Sequence, residues 1–345
     1  MIPRQKLRGA IVGCGMIAEF HLRGWARIPE VEIVALADRN STAAERYREL
    51  YAPTARIYPD LVAMLATEQL DFVEIITPPA MHLEHCLQAR TANLHVICQK
   101  PLCDQLVDAR ALVTAFASSP RLFCVHENHI YRPWFQRVRE LHRENFFGAL
   151  RFVRLEQHDV TAPPQKFSRE SKRGVLLEYG VHLVDMVRAL LGTPHRVNAQ
   201  FHRVHPDIHG ESLAHVTFEY PTATAVIDIA WKNGGLAQGG ALFLGDSGEA
   251  FYDGTMIRGG SSSFRATQNG RVKVDETRDT VADYVESFYL FQRDFFQALQ
   301  EGTPGPQPAT DNIHTLEMVF AAYEAAEKAT TVYFPEFASA VSEMS

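Results

Sequence analysis

Residues 7–39 read LRGAIVGCGMIAEFHLRGWARIPEVEIVALADR, and this stretch decides the fold. The apolar run from Leu7 to Val12 predicts a strand, Gly13-Cys14-Gly15 a tight turn, and Ile17, Phe20, Leu22 and Trp25 recur at helical spacing between Met16 and Ile28. Pro29 ends that helix, a second apolar run covers Val31 to Ala37, and Asp38 stands at its end. This is the order of a β-α-β nucleotide-binding unit. Gly13 permits the turn from strand to helix, Gly15 lets backbone approach a pyrophosphate, and Ala18 takes the third position of G-x-G-x-x-G/A, where helix packs on strand. The unpaired first amides of the helix, with its dipole, favour an anion there. Asp38, about 20 residues on, suits a carboxylate accepting hydrogen bonds from an adenosine ribose. Such a carboxylate repels a 2'-phosphate and favours NAD, while Arg39, stacked on adenine or holding that phosphate, leaves NADP open.

At 345 residues the chain is long enough for two domains, and 46% hydrophobic residues argue against global disorder. A formal net charge of -7 argues against a general nucleic-acid surface, leaving a small molecule as the expected partner. The first residues run straight into the first strand without the apolar core of a secretory signal, and no apolar stretch approaches the ~20 residues that span a bilayer. A cytoplasmic protein with no membrane partner is expected. The five cysteines, Cys14, Cys86, Cys98, Cys103 and Cys124, contain no C-x-x-C pair and read as reduced thiols rather than metal ligands.

Helices and strands continue to alternate after Asp38. Helices are expected over 41–51, 60–66, 81–89 and 104–117, and strands over 56–58, 70–77, 94–98 and 122–125, giving a doubly wound parallel sheet. The first domain is expected to cover residues 1–125. The pattern then changes to a helix over 133–146, an extended stretch over 149–160, a proline-rich charged loop over 161–173 and a helix over 175–191. Strand-like sequence follows from 197 to 274, in which Ala214, Val216, Phe218 and Tyr220 share one face and Ile227, Ile229 and Trp231 a face of the neighbouring strand. Turns are expected at 221–224, 233–240 and 258–263. Two helices, 283–300 and 311–329, and a last strand close an α+β domain, 126–345, on a mainly antiparallel open sheet.

Two constellations carry chemistry. Lys100, in Gln99-Lys100-Pro101, follows the fifth strand at the sheet end where open α/β folds bind ligands, and there an ammonium can help relay a hydroxyl proton. The plain alternative is a solvated lysine at a loop entry. Glu178, His182 and Asp185 are spaced i, i+4, i+7 on an otherwise apolar helix, so they form one stripe that must face solvent or a polar cleft. His182 can take a proton near neutral pH, and an acid one turn away can orient it or the substrate; a solvent-facing ion-pair stripe is the other reading.

GAIVGCGMIA, the acid of ALADR, TPPAMHLEHCLQA, QKP and LLEYGVHLVDMVRALLG, in this order and spacing, resemble the Gfo/Idh/MocA family of oxidoreductases over residues 7 to 334. The resemblance implies a Rossmann domain followed by an α+β domain, a site between them, and NAD(P)-dependent oxidation of a sugar, cyclitol or sugar acid. It implies that Lys100 touches the substrate hydroxyl, His182 is the general base and Glu178 holds the substrate. Cofactor contacts are implied for Gly13, Cys14, Gly15, Met16, Ile17, Asp38, Arg39, Thr77, Pro78, His82, Gln99 and Lys100. No metal is implied, and the open sheet suggests a homodimer or homotetramer. Gln99 stands where the family usually has glutamate, removing a negative charge beside Lys100. Glu178 stands where it usually has aspartate, carrying its carboxylate about one methylene further.

His126, Asn128, Tyr131, Arg132 and Trp134, in VHENHIYRPWF, are further pocket candidates, with His158, Arg173 and Asp185 as substrate candidates. Arg132 either binds a substrate oxygen or fixes a helix. The loop carrying Lys166, Arg169, Lys172 and Arg173 reads as a pocket cover or a solvated basic loop. His202, His205 and His209 are too scattered along strand and loop to favour a metal. Beside a dehydrogenase, the residues leave room for a redox-neutral enzyme that cleaves glycosides through transient oxidation, and for a non-enzymatic sensor; the presence of both Lys100 and His182 weighs against the sensor.

Overall fold

The stretch 7–39 folds as β1 (Leu7–Val12), α1 (Ala18–Trp25) and β2 (Val31–Ala37), with the two strands parallel. The computed structural model describes residues 6–160, 163, 165–254 and 260–334. Further along come α2 (Ser41–Tyr51), β3 (Arg56–Tyr58), α3 (Leu61–Leu65), β4 (Phe72–Ile75), α4 (His82–Thr91), β5 (His95–Gln99), α5 (Leu106–Phe116) and β6 (Phe123–His126). The strands form a parallel sheet in the order β3-β2-β1-β4-β5-β6, whose direction of winding changes between β1 and β4. Such a switch point opens a crevice at the carboxyl ends of the strands. Local chemistry sets several boundaries. Asn40 caps α2 by accepting from the Ala43 amide (3.3 Å), and Asp60 caps α3 through Ala63 (2.8 Å).

The next elements are α6 (Pro133–Arg143), β7 (Leu150–Asp159), α7 (Lys166–Glu170), a π-helical turn (Leu176–Gly180) and α8 (Val181–Leu191). They are followed by β8 (Arg196–His202), β9 (Leu213–Glu219), β10 (Thr224–Trp231), β11 (Gln238–Gly245), β12 (Gly248–Asp253), β13 (Ser261–Gln268) and β14 (Arg271–Asp279). The chain closes with α9 (Thr280–Glu301), α10 (Ala309–Lys328) and β15 (Val332–Tyr333). Among the described residues nine strands form the second sheet, in the order β14-β13-β12-β11-β7-β10-β9-β8-β15, antiparallel except where β10 meets β7. Alternating burial along β9 buries Ala214, Val216 and Phe218, and on β10 Ile227, Ile229 and Trp231 are buried.

Four expectations change. The two units are not contiguous: one reaches to Asn128 and takes in Val285–Ile313, the other comprises His129–Tyr284 and resumes at His314. The reason is the aromatic face of α9. Phe288 packs edge-on to His21 (4.9 Å), Phe291 lies on His126 (4.2 Å), and Phe295 meets Phe72 (5.7 Å) and Trp25 (6.4 Å). The 175–191 helix is not uniform, because its first turn is π-helical. The 161–173 loop contains α7; residues 161, 162 and 164, and 258 and 259 of the expected glycine-rich turn, lie outside the described residues. Gly239 and Gly240, expected in a turn, belong to β11. Among the described residues no helix is long and apolar enough to cross a membrane.

Phe295 is fully buried among large rings, so Phe295→Ala is expected to cost about 3–5 kcal/mol of unfolding free energy in urea titration. The control Leu50→Ala, at a side chain 58% exposed on α2, is expected to change it by less than about 0.5 kcal/mol.

Candidate active site

In the first unit the turn after β1 is pinned by backbone and carboxylate together. Gly13 has φ +101°, and a Cβ there would come within 2.8 Å of the Ile76 carbonyl, so the position needs glycine on both counts. Around Gly15 nothing lies within 4 Å of where a Cβ would stand, leaving open space above the turn. Each oxygen of Asp38 accepts a backbone amide, Oδ2 from Cys14 at 2.6 Å and Oδ1 from Asn40 at 2.7 Å. The acid is thus fixed at the end of β2. Burial, and then the Asp38 charge, push the Cys14 thiol up to about 12, so its side chain serves as packing. Met16 and Arg39 are exposed and Ile17 half-buried around this turn. These residues fit a dinucleotide: a glycine turn with open space at Gly15, an adjacent helix start and a fixed acid for the ribose.

Thr77 and Pro78 are half-buried beyond β4, with Thr77 Oγ1 3.1 Å from His85 Nδ1. His82 is a correction. It is fully buried, with Nε2 2.8 Å from the Thr77 carbonyl and Nδ1 3.1 Å from the carbonyls of Pro101 and Leu102, so it braces two loops instead of presenting itself to a cofactor. Desolvation lowers its proton affinity, and the carbonyls of Thr77, Leu102 and Pro101 work against that shift. Lys100 follows β5, half-buried, and its amide donates to Gln99 Oε1 at 2.8 Å. Asn128 is buried and donates to Ser287 Oγ at 2.9 Å.

In the second unit the helix bearing His182 is anchored at its start by the buried carboxylate of Glu211. It accepts from the amides of Gly174 (2.8 Å) and Leu176 (3.0 Å) and from the Tyr323 hydroxyl (2.6 Å). Burial pushes the Glu211 carboxyl above its usual range, and the Tyr323 and amide hydrogen bonds pull it back. Glu178 lies half-buried in the π turn, so the expected regular stripe is broken there. Asp185 is a further correction. It is fully buried, accepting from Thr315 Oγ1 at 2.6 Å with Arg188 at 3.7 Å, so it fixes helix to helix and does not face a cleft.

Arg132 is buried, its guanidinium 3.4 Å from the Thr280 carbonyl and over the Tyr284 ring, which is the helix-fixing alternative. Trp134 is also corrected: fully buried and stacked on Tyr252 at 4.2 Å, it is core. Tyr131 and His158 are half-buried. Arg173 lies over Phe320 and Tyr323 and lines a separate cavity of about 430 Å³ with Lys172, His202, Arg203 and His209. Among the described residues the His/acid group close enough for a metal is His21, Glu74 and His126, not the three histidines of 202–209. One residue escaped the sequence reading. His129 stacks on His182 at 3.8 Å, with its Nε2 3.2 Å from the Tyr179 hydroxyl. Its place in VHENHIYRPWF was the available signal.

Comparison with known proteins agrees with this geometry. Residues 7–127 match the oxidoreductase family with an NAD-binding Rossmann fold, and 135–250 match the GFO/IDH/MocA C-terminal domain. The chain belongs to the Gfo/Idh/MocA family of oxidoreductases. Within the family it is similar to a D-apiose dehydrogenase of Paraburkholderia graminis, 29% identical over 95% of this chain and 90% of the relative. A second D-apiose dehydrogenase, from Rhizobium rhizogenes, is 27% identical over 95% and 97%. Among solved structures, an Agrobacterium radiobacter oxidoreductase in complex with NAD+, L-tartaric acid and magnesium superposes with a TM-score of 0.86 at 24% identity, covering 96% of this chain and 99% of that one.

Two substitutions test the cradle by titrating protein fluorescence with NAD and NADP. Gly13→Ala is expected to weaken NAD binding at least about tenfold through backbone strain and the Ile76 clash. Asp38→Ala is expected to narrow the preference for NAD over NADP by about tenfold or more. Unchanged binding in either variant contradicts the corresponding assignment.

Proposed function

We propose that the protein is an NAD-dependent dehydrogenase acting on a secondary hydroxyl of a sugar, cyclitol or sugar acid. The observation that carries this reading is the placement of Lys100 just beyond β5, at the same carboxyl end of the parallel sheet as the glycine turn and Asp38. Bound NAD supplies the two-electron acceptor. His182 takes the hydroxyl proton, with His129 stacked on its ring to fix the plane in which it works. Lys100 stabilises the developing alkoxide, and Glu178 holds a neighbouring hydroxyl. Similarity to D-apiose dehydrogenases supports a sugar as substrate, and Gln99 and Glu178 mark a branch in which the substrate differs in detail.

The same reading includes a homodimer or homotetramer formed through the exposed face of the nine-stranded sheet, where Phe251 stands 45% exposed, with light scattering as its test. It also places the protein in the cytoplasm, in keeping with five cysteines that are all buried and free.

Reduced-nicotinamide formation over a panel of D-apiose, other aldoses, inositols and sugar acids tests the reaction. At least one panel member is expected to turn over, with Lys100→Ala and His182→Ala each lowering kcat by about 10²-fold or more while NAD still binds. Turnover that survives both substitutions overturns the assignment. Cofactor retained through purification, with no net reduction of added NAD, points to redox-neutral chemistry instead.

A further inference from the structure

Beneath Lys100 the first unit holds a buried chain of polar groups that the proposed reaction does not itself consume. Glu74 lies in the middle of β4, in register with Ile11 on one side and Ile97 on the other, and is fully buried. A carboxylate there is costly unless donors converge on it. Trp25 Nε1 donates to Oε2 at 2.6 Å, Gln292 Nε2 lies 3.4 Å from the same oxygen, and His21 Nδ1 is 2.7 Å from Oε1. His126 Nε2 stands 3.8 Å from Oε1. His21 in turn meets Gln99 through Nε2 at 2.8 Å, and Gln99 meets the Lys100 amide at 2.8 Å.

The direction of every bond follows from what each atom is able to do. A backbone N–H only donates, so the Gln99 atom facing Lys100 is the amide oxygen. The Gln99 nitrogen then faces His21 and donates, so His21 Nε2 is a bare lone pair. Its proton therefore sits on Nδ1 and goes to Glu74 Oε1. Both nitrogens of His21 are engaged in this way, which leaves neither for a metal shared with Glu74 and His126.

We propose that Glu74, His21 and Gln99 are positioning residues for Lys100, Glu74 supplying from the neighbouring strand the carboxylate that position 99 lacks. The inference rests on the role given to Lys100 above. Glu74 sets the polarity of the chain, and the polarity holds the Lys100 amide. Glu74→Gln turns it round. Trp25 and Gln292 both donate to one atom of residue 74, which must then be the oxygen, so the new NH2 group faces His21. His21 is driven to carry its proton on Nε2, Gln99 must flip, and its NH2 then opposes the Lys100 N–H. Adding Gln99→Glu cures the conflict, because a carboxylate at 99 accepts from both His21 and Lys100.

The test uses the full chain with 15N-labelled histidine, the His21 signals being assigned with His21→Gln. The wild type is expected to show the Nδ1–H tautomer, and Gln99→Glu/Glu74→Gln the Nε2–H tautomer. With the substrate found above, Glu74→Gln is expected to lose about tenfold or more in kcat, the scale of one opposed buried donor, with NAD affinity within about threefold. The double variant is expected to recover most of that loss. An Nε2–H tautomer in the wild type, an unchanged kcat in Glu74→Gln, or a folded double variant no better than the single one overturns the proposal. Should Glu74→Gln fail to fold, the wild-type tautomer and the double variant decide. If no sugar turns over in the wild type, the proposed function fails, whereas the tautomer reversal still decides the chain.

Discussion

The first unit depends on one steric constraint, the contact of the Gly13 turn with the backbone leaving β4. With φ +101° and the Ile76 carbonyl 2.8 Å from where a Cβ would stand, the turn sits against the neighbouring strand's end. That closeness lets the Cys14 amide reach Asp38 at the end of β2, and it leaves free space beside Gly15. Three strand ends are therefore fixed relative to one another by a glycine and a carboxylate. Lys100, two strands away from β1 in the same sheet, inherits its place from that frame.

Much of this was legible because it is local. The start of Ser41–Tyr51 follows from a capping Asn40, which is written within a few residues. The glycine spacing and Asp38 carry their own stereochemical reasons. What the sequence left hidden is partnership at a distance. The phenylalanine spacing of α9 says which face is buried but not that His21, Phe72 and His126 cover it.

Asp185 shows the same gap in the candidate site. A lone acid on an apolar helix reads as facing a cleft, since burying it without a partner is costly. The partner, Thr315, is 130 positions away and brings Arg188 with it, so the acid is buried and satisfied. The π turn at Leu176–Gly180 was also illegible, because in an apolar run one extra residue per turn leaves no periodic mark. By contrast Glu74, in DFVEIIT, was an open signal: a charge in the middle of a strand that both neighbours bury has to have a reason.

That reason has a counterpart in the second unit. Glu211 and Glu74 are both buried carboxylates that gather donors from other segments of their own unit. Glu211 collects the Gly174 and Leu176 amides and the Tyr323 hydroxyl, tying down the start of the helix that carries His182. Glu74 collects Trp25 and His21, and through His21 and Gln99 reaches the amide of Lys100. An apolar residue at either place packs well but has no acceptors to offer, and each oxygen dictates where an N–H points. Burying a carboxylate costs several kcal/mol, offset here by at least three donors apiece, and the return is orientation more than stability. In each unit, then, a buried acid fixes the segment that carries a residue of the proposed reaction, Lys100 in one and His182 in the other.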